Sequence, residues 1–351
     1  MAPPLVGIIA NPVSARDIRR VIANAASLQI SDRANIVLRV LACLKACGIE
    51  QAVAMPENGG IRGHVRRGIE RSRQRGEAQF SELAYLDMPV TCTAEDTVRA
   101  AAAMRRAGAA AIVVLGGDGT HRAVAAGAGM VPIAGISTGT NNAFPEAHEP
   151  TIVGLAVGLA VTGHVPADIA YSANKRLTVD LNDGPLRDIA LVDVATVGER
   201  YVGARALWRT ESFRELFVTF ADPTVIGMSA IAGLLEPVAR DEPGGLAVTL
   251  APPAAATLRL SAPIAPGYVR EIGIASWRRI AAEDLIVPAT RAGAIALDGE
   301  REFAFAESDR VVIRLEEKAF RTVAVAACMR YAARHGLMQS YNFTALARAL
   351  T

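Results

Sequence analysis

Lysine is nearly missing from this chain of 351 residues: Lys45, Lys175 and Lys318 are the only three, and arginine supplies the remaining positive charge. The bias reads as genomic. With 37 basic against 35 acidic residues, the net charge of +2 gives no electrostatic footprint for nucleic acid. Aromatic residues are scarce at 5%, while apolar residues reach 51%. Such a core is aliphatic and alanine-rich, which suits helices packed on a sheet and excludes disorder. The four cysteines, Cys43, Cys47, Cys92 and Cys328, form no Cys-x-x-Cys pair. They read as reduced thiols of a cytoplasmic protein. His64, His121, His148, His164 and His335 lack zinc-ligand spacing, so no metal held by side chains alone is expected. The longest apolar stretch, residues 151–162, is shorter than the roughly 20 residues a membrane helix needs. The first residues carry no basic region and read as a first strand, not a signal peptide. Two nucleotide-binding signatures are absent: Gly-x-x-x-x-Gly-Lys, the P-loop, and Gly-x-Gly-x-x-Gly, the classical dinucleotide fingerprint.

What is present alternates. A short apolar run at 5–10 predicts a buried strand that ends at Asn11-Pro12. Residues 34–46 have helical spacing, with Ile36, Val37, Val40, Leu41 and Leu44 able to share one face. Strands are predicted at 51–55, 83–86, 111–115 and 131–134, and helices at 95–107 and 121–126. Residues 59–75 read as a solvated helix or loop. This order predicts a mainly parallel sheet covered on both faces. The character changes near residue 165. From 168 to 195 and from 247 to 315 the chain shows short alternating strands with turns at 182–184, 265–267, 291–293 and 298–299, so a largely antiparallel second domain is expected. A helix is predicted at 227–238 between these blocks.

The sharpest motif is Gly116-Gly117-Asp118-Gly119-Thr120, directly after the strand at 111–115 and directly before a helix. Its glycines are expected to let the backbone approach a ligand and adopt positive φ. The helix start presents N–H groups to an anion, at the sheet edge where ligands of parallel sheets bind. A carboxylate beside phosphate makes chemical sense if Asp118 binds Mg²⁺ or takes the proton of an attacking hydroxyl. The alternative is an Asp-Gly turn that caps a helix. A second string, Gly135-Ile136-Ser137-Thr138-Gly139-Thr140-Asn141-Asn142-Ala143-Phe144-Pro145, follows the next strand and offers small donors to phosphate oxygens or a base. Its alternative is a polar loop.

These strings together resemble the superfamily that joins NAD kinases, diacylglycerol and sphingoid-base kinases, and 6-phosphofructokinases. Asn11-Pro12 resembles the Asn-Pro loop of its lipid-kinase branch, 139–144 that branch's Gly-Thr-Gly-Asn-x-Phe segment, and 297–300 its Asp-Gly-Glu turn. The full combination, with the start at 11–20, is most similar to the acetoin catabolism protein X-like branch of the ATP-NAD kinase superfamily. The resemblance implies an N-terminal Rossmann-like α/β domain (1–164), a mainly antiparallel β-rich acceptor domain (165–318) and a final segment (319–351) returning to the first domain. It implies ATP and Mg²⁺ as cofactors. The phosphates would lie among Asn11, Pro12, Gly116, Gly117, Gly119, Thr120, Thr138, Gly139, Thr140, Asn141 and Asn142. Asp118 would be the general base or a metal-linked carboxylate, with Asp298 and Glu300 approaching from the second domain. The acceptor would be a hydroxyl of a small molecule, with NAD(H) or a related nucleotide as best guess, and the chain would be a homo-oligomer. The Asn-Glu pair with which typical NAD kinases contact the dinucleotide reads Val192-Asp193 here. Asp193 is either an acceptor-side residue or a paired strand carboxylate. Three other readings stay open: a nucleotide-binding regulator without turnover, a lipid or sphingoid-type kinase, and a serine hydrolase. The hydrolase would use Ser137 in a Gly-x-Ser-x-Gly elbow, with His335 completing a triad.

Overall fold

The computed structural model describes residues 3–12, 28–77, 79–138, 142–182, 184, 188–199, 212–299 and 301–339. Its first sheet starts as five parallel strands: β1 (Leu5–Ala10), β2 (Gln51–Ala54), β3 (Glu82–Tyr85), β4 (Ala109–Gly116) and β5 (Ile133–Ser137). Helices α1 (Ile30–Ala46), α2 (Ile61–Arg75), α3 (Ala94–Arg106) and α4 (Asp118–Ala128) connect them. Strand periodicity places alternate residues on opposite faces. Ala111, Val113 and Leu115 of β4 enter one apolar cluster, with Val37, Val40, Leu41 and Leu44 of α1. Ile112 and Val114 enter the other, with Met104 of α3 and Val124 of α4. Helix α5 (Pro150–Val161), apolar almost all round, is buried in the first cluster, as such a composition requires.

After a short helix α6 (Ala167–Ala170), strands β6 (Tyr171–Leu181) and β7 (Asp188–Ala190) join this same sheet. So does the long β15 (Val311–Val323), which gives the strand order β3-β2-β1-β4-β5-β15-β6-β7. The sequence pattern assigns β6 and β7 to the second domain because they form an antiparallel ladder. That ladder runs against β15, whose Thr322 pairs with Ile133 of β5. The last helix among the described residues, α8 (Val325–Arg334), packs Val325, Cys328 and Ala332 into the first cluster.

The second sheet is antiparallel throughout, in the order β11-β12-β10-β9-β8-β13-β14. Its strands are β8 (Asp193–Val197), β9 (Phe213–Val218), β10 (Gly245–Ala251), β11 (Leu258–Ala265), β12 (Tyr268–Ile280), β13 (Gly293–Leu297) and β14 (Arg301–Phe305). Helix α7 (Met228–Leu235) covers one face through Met228, Ile231 and Ala232. The other face stacks on the antiparallel β6–β15 pair. Phe217, Ile280, Ile295 and Leu297 share a cluster with Leu177, Val179, Ile313 and Leu315. The architecture is therefore α/β with a parallel-sheet N-terminal part and an antiparallel C-terminal sheet, and one antiparallel strand pair, β6 with β15, is common to both cores.

Candidate active site

The carboxyl edge of the parallel sheet carries the motif loops. Asp118 opens α4 directly after β4, with Gly117 extended at the cap position. Its glycines do not take positive φ. Glycine is needed there for closeness. A Cβ on Gly116 would lie 2.4 Å from Cβ of Thr120, and one on Gly117 would lie 2.7 Å from Oδ1 of Asn142. The N–H of Thr138 donates to Gly116 O at 3.3 Å, so the loops after β4 and β5 are clamped together.

Asp118 is only 7% exposed. Its two oxygens accept the N–H groups of Ala143 and Phe144, each at 2.9 Å. A negative charge at the first turn of α4 is also favoured by the helix dipole. The carboxylate is thus fixed in direction, toward the segment after β5. Asn142 donates to the Ser137 hydroxyl at 2.9 Å, and His335 stacks on Tyr331 and contacts its carbonyl. Ser137 and His335 make no triad, which removes the basis for the hydrolase reading. His121, fully buried, holds Nδ1 at 2.8 Å from Gly117 O, and burial pushes it down to about 4; it is a neutral packing group.

Asn11 donates its N–H to Leu115 O at 3.4 Å and so lies beside the end of β4. Arg33, on α1 and 0% exposed, donates to Asn11 O and to the Thr138 hydroxyl, both at 3.1 Å. This guanidinium ties the first and the last nucleotide-loop candidates to each other. Asn11 and Pro12 also line a cavity of about 360 Å³ at the ends of β1 and β2, closed by Met55, Gly59, Cys92 and Thr97. Its size falls in the range of small-ligand pockets.

The second sheet brings two more carboxyl groups. Asp298 and Gly299 both have positive φ in the turn between β13 and β14, the conformation that the Asp-Gly sequence favours. The Asp298 carboxylate faces back onto its own sheet, where it accepts the N–H groups of Leu191, Val192 and Asp193 at 2.8–3.2 Å. Arg122 of α4 reaches between the two sheets, 3.8 Å from Asp298 and 3.7 Å from Asp188. Burial raises Asp298 to about 6, while Arg122 and the three N–H groups oppose that shift. Asp193 is 7% exposed, and burial, with Asp298 and Asp118 within electrostatic range, pushes its carboxyl well above the usual range. Asp118, Asp193 and Asp298 therefore gather at one place. Val192 is buried with Phe144, so only its backbone takes part. Gly139, Thr140, Asn141 and Glu300 lie outside the described residues.

On the far side of the 143–145 segment lies a larger cleft of about 660 Å³. It is lined by Phe144 and Glu146, by Asp222 and Arg240 from the loops flanking α7, by Asn174 of β6 and by Arg330 of α8. Arg240 donates to Ala143 O at 2.5 Å and lies 4.1 Å over the Phe220 ring. Its loop is pinned by Lys175, whose ammonium donates to the carbonyls of Ala239, Glu242 and Gly244 at 2.6–3.2 Å. Neither Arg33, Arg122, Arg240 nor Lys175 belongs to a motif. Arg33 alone leaves a trace in sequence, a charge three and four residues before Ile36 and Val37 of the buried stripe. Among the described residues no helix is long and apolar enough to cross a membrane.

Residues 6–161 match the family model for the ATP-NAD kinase N-terminal domain, and residues 175–318 match that for the acetoin catabolism protein X C-terminal domain. Acetoin catabolism protein X of Cupriavidus necator is 55% identical over 340 residues, covering 96% of this chain and 94% of that protein. A proposed diacylglycerol kinase from Bacillus anthracis str. Sterne aligns over 91% of this chain and 97% of its own, at 11% identity and a TM-score of 0.48. A second structure with that description aligns over the same shares at 13% identity and a TM-score of 0.42. The identity to that relative and the coverage of both domain models converge: this chain belongs to the acetoin catabolism protein X family, built on an ATP-NAD kinase N-terminal domain.

Proposed function

We propose that the chain is an ATP-dependent phosphotransferase acting on a hydroxyl of a small molecule. The observation that carries this reading is the Asp118 carboxylate, fixed by Ala143 and Phe144 where the loops after β4 and β5 meet. The nucleotide would enter on the Asn11 side, its phosphates against the tight backbone at Gly116 and Gly117. The acceptor would enter through the Phe144 cleft. Its oxygen attacks the terminal phosphorus, the bond to the bridging oxygen breaks and ADP leaves. The hydroxyl proton passes to Asp118. Positioning and charge do most of the work in such a transfer. Among the described residues no group of three or more His, Cys, Asp or Glu side chains can hold a metal. Mg²⁺ usually keeps several waters and takes one or two carboxylates beside substrate phosphates, so Asp118 fits it only in that supporting role. When bound it would offset phosphate charge.

Val192 stands where the resemblance has Asn and offers a dinucleotide no side-chain amide, which counts against NAD as the acceptor. Purified protein with Mg-ATP should form ADP when offered the right hydroxyl compound, with NAD and NADH in the same panel. Asp118→Asn should lower turnover by about 10²- to 10⁴-fold. Full turnover in that variant would remove Asp118 as the base. A second reading, a nucleotide-binding regulator, is favoured by the engagement of both Asp118 oxygens with backbone. Tight ATP binding without ADP formation from any hydroxyl compound would select it.

A further inference from the structure

The amide between Ala143 and Phe144 meets a charged side chain at each end. Its carbonyl oxygen accepts from the Arg240 guanidinium at 2.5 Å, and its N–H, on Phe144, donates to Oδ1 of Asp118 at 2.9 Å. Among the described residues no peptide bond is cis, so the C=O and N–H of this planar unit point in opposite directions. Guanidinium and carboxylate therefore face each other along one amide dipole. Hydrogen bonds to charged groups are the strong ones, and bonds in series polarise one another. The guanidinium draws electron density toward the carbonyl oxygen, which makes the Phe144 N–H a better donor to Asp118. The second bond to Asp118 comes from the N–H of Ala143, which belongs to the preceding peptide unit and lacks this coupling. Arg240 is itself held. It lies 4.1 Å from the Phe220 centroid and 5.4 Å from that of Phe144, and Lys175 pins its loop through three carbonyls. Burial lowers the Arg240 pKa, while Glu146, Asp118 and Asp222 oppose that shift, so carboxylates of the fold answer its charge, Asp118 among them.

We propose that Arg240 is a positioning residue for Asp118: through this one amide it orients the carboxylate from the acceptor side, so that the loop after α7 completes the site begun by the loops after β4 and β5. The assignment rests on the phosphotransferase reading for what Asp118 does, but not for how Asp118 is held. It makes the proposed base depend on a residue 97 positions away, in the other part of the chain.

The test is amide hydrogen exchange and ¹H–¹⁵N spectroscopy of the full chain, beside turnover, in Arg240→Gln and Arg240→Lys. In Arg240→Gln the Phe144 amide should exchange about tenfold faster or more and its proton resonance should move upfield. The Ala143 amide, bonded to the same carboxylate, should change less. Arg240→Lys keeps a cationic donor and should restore most of both signals. With an acceptor that yields ADP, Arg240→Gln should lower kcat by about tenfold or more at unchanged KM for ATP, and the lysine variant should recover most of it. Equal changes at Ala143 and Phe144, or no rescue by lysine, would make Arg240 a packing residue and overturn the proposal. If Arg240→Gln does not fold, Lys175→Met releases the loop that carries Arg240 and should likewise speed Phe144 exchange more than Ala143 exchange; equal change there overturns the proposal as well. The predicted exchange pattern without ADP formation from any hydroxyl compound would keep the positioning of Asp118 and remove the kinase reading. Wild-type kcat in Arg240→Gln would keep the kinase reading and remove the positioning role.

Discussion

The Asn11 cavity and the Phe144 cleft are built in opposite ways. The first is assembled from strand ends and helix starts of one parallel sheet, beside the recognisable Asn11-Pro12 loop. The second is assembled from six separate stretches spread over residues 133–330. What holds them differs too. The cavity side depends on one buried arginine that bridges two loops. The cleft side depends on a lysine, a carboxylate and an arginine, each bonded to backbone far away in sequence. A site of the first kind announces itself in the chain, and a site of the second kind exists only after folding.

Cutting the ties one at a time separates the two. The largest effect is expected for Asp298→Ala, which leaves three buried N–H groups without an acceptor and leaves Arg122 with Asp188 alone. Stability should fall by roughly 3–5 kcal/mol in denaturant titrations, with Asp298→Asn losing much less. A loss below about 1 kcal/mol in the alanine variant would show that the turn, not the carboxylate, holds 191–193. Next comes Arg33→Met, expected to cost about 2–4 kcal/mol and to weaken ATP binding while cleft ligands bind as before. Equal weakening at both places would erase the contrast between them. Lys175→Met should do the reverse, at about 1–3 kcal/mol: it frees the loop of Arg240 and spares the nucleotide. Lys175→Arg should not rescue it, because a planar fork cannot reach three carbonyls arranged around a compact ammonium.

The smallest effect concerns pH. The folded chain holds the Asp193 proton more tightly than the unfolded chain does, so its contribution to stability falls as pH rises above the ordinary aspartate range. Asp193→Asn should melt with the wild type near pH 4 and above it by pH 7. Asp298, raised to about 6, should leave the variant a residual decline between roughly pH 4 and 6. Parallel melting curves across that range would show that Asp193 is charged and accommodated.

The same contrast explains what the sequence revealed. Alternation in β4 and the 3.6-residue stripe of α1 are local, so the parallel sheet and its two covered faces are readable. The Asp-Gly turn at 298–299 is readable as a turn. The use of its carboxylate is not, because the N–H groups it accepts lie 105–107 residues earlier. Reading α1 from residue 34 excludes Arg33 by a single position. The antiparallel pattern of β6 correctly predicts its ladder and says nothing of the sheet that ladder joins. Arg240 follows no motif, and only the fold brings it to Phe144.

The single pairing of Thr322 with Ile133 has a consequence for how the chain comes into being. During synthesis β5 leaves the ribosome almost two hundred residues before its neighbour. Until β15 arrives, its outer edge is an open row of donors and acceptors, the kind of edge on which strands of other molecules add. Completion of the first sheet therefore waits for β15, the last strand among the described residues, and any premature stop before residue 311 leaves that edge exposed.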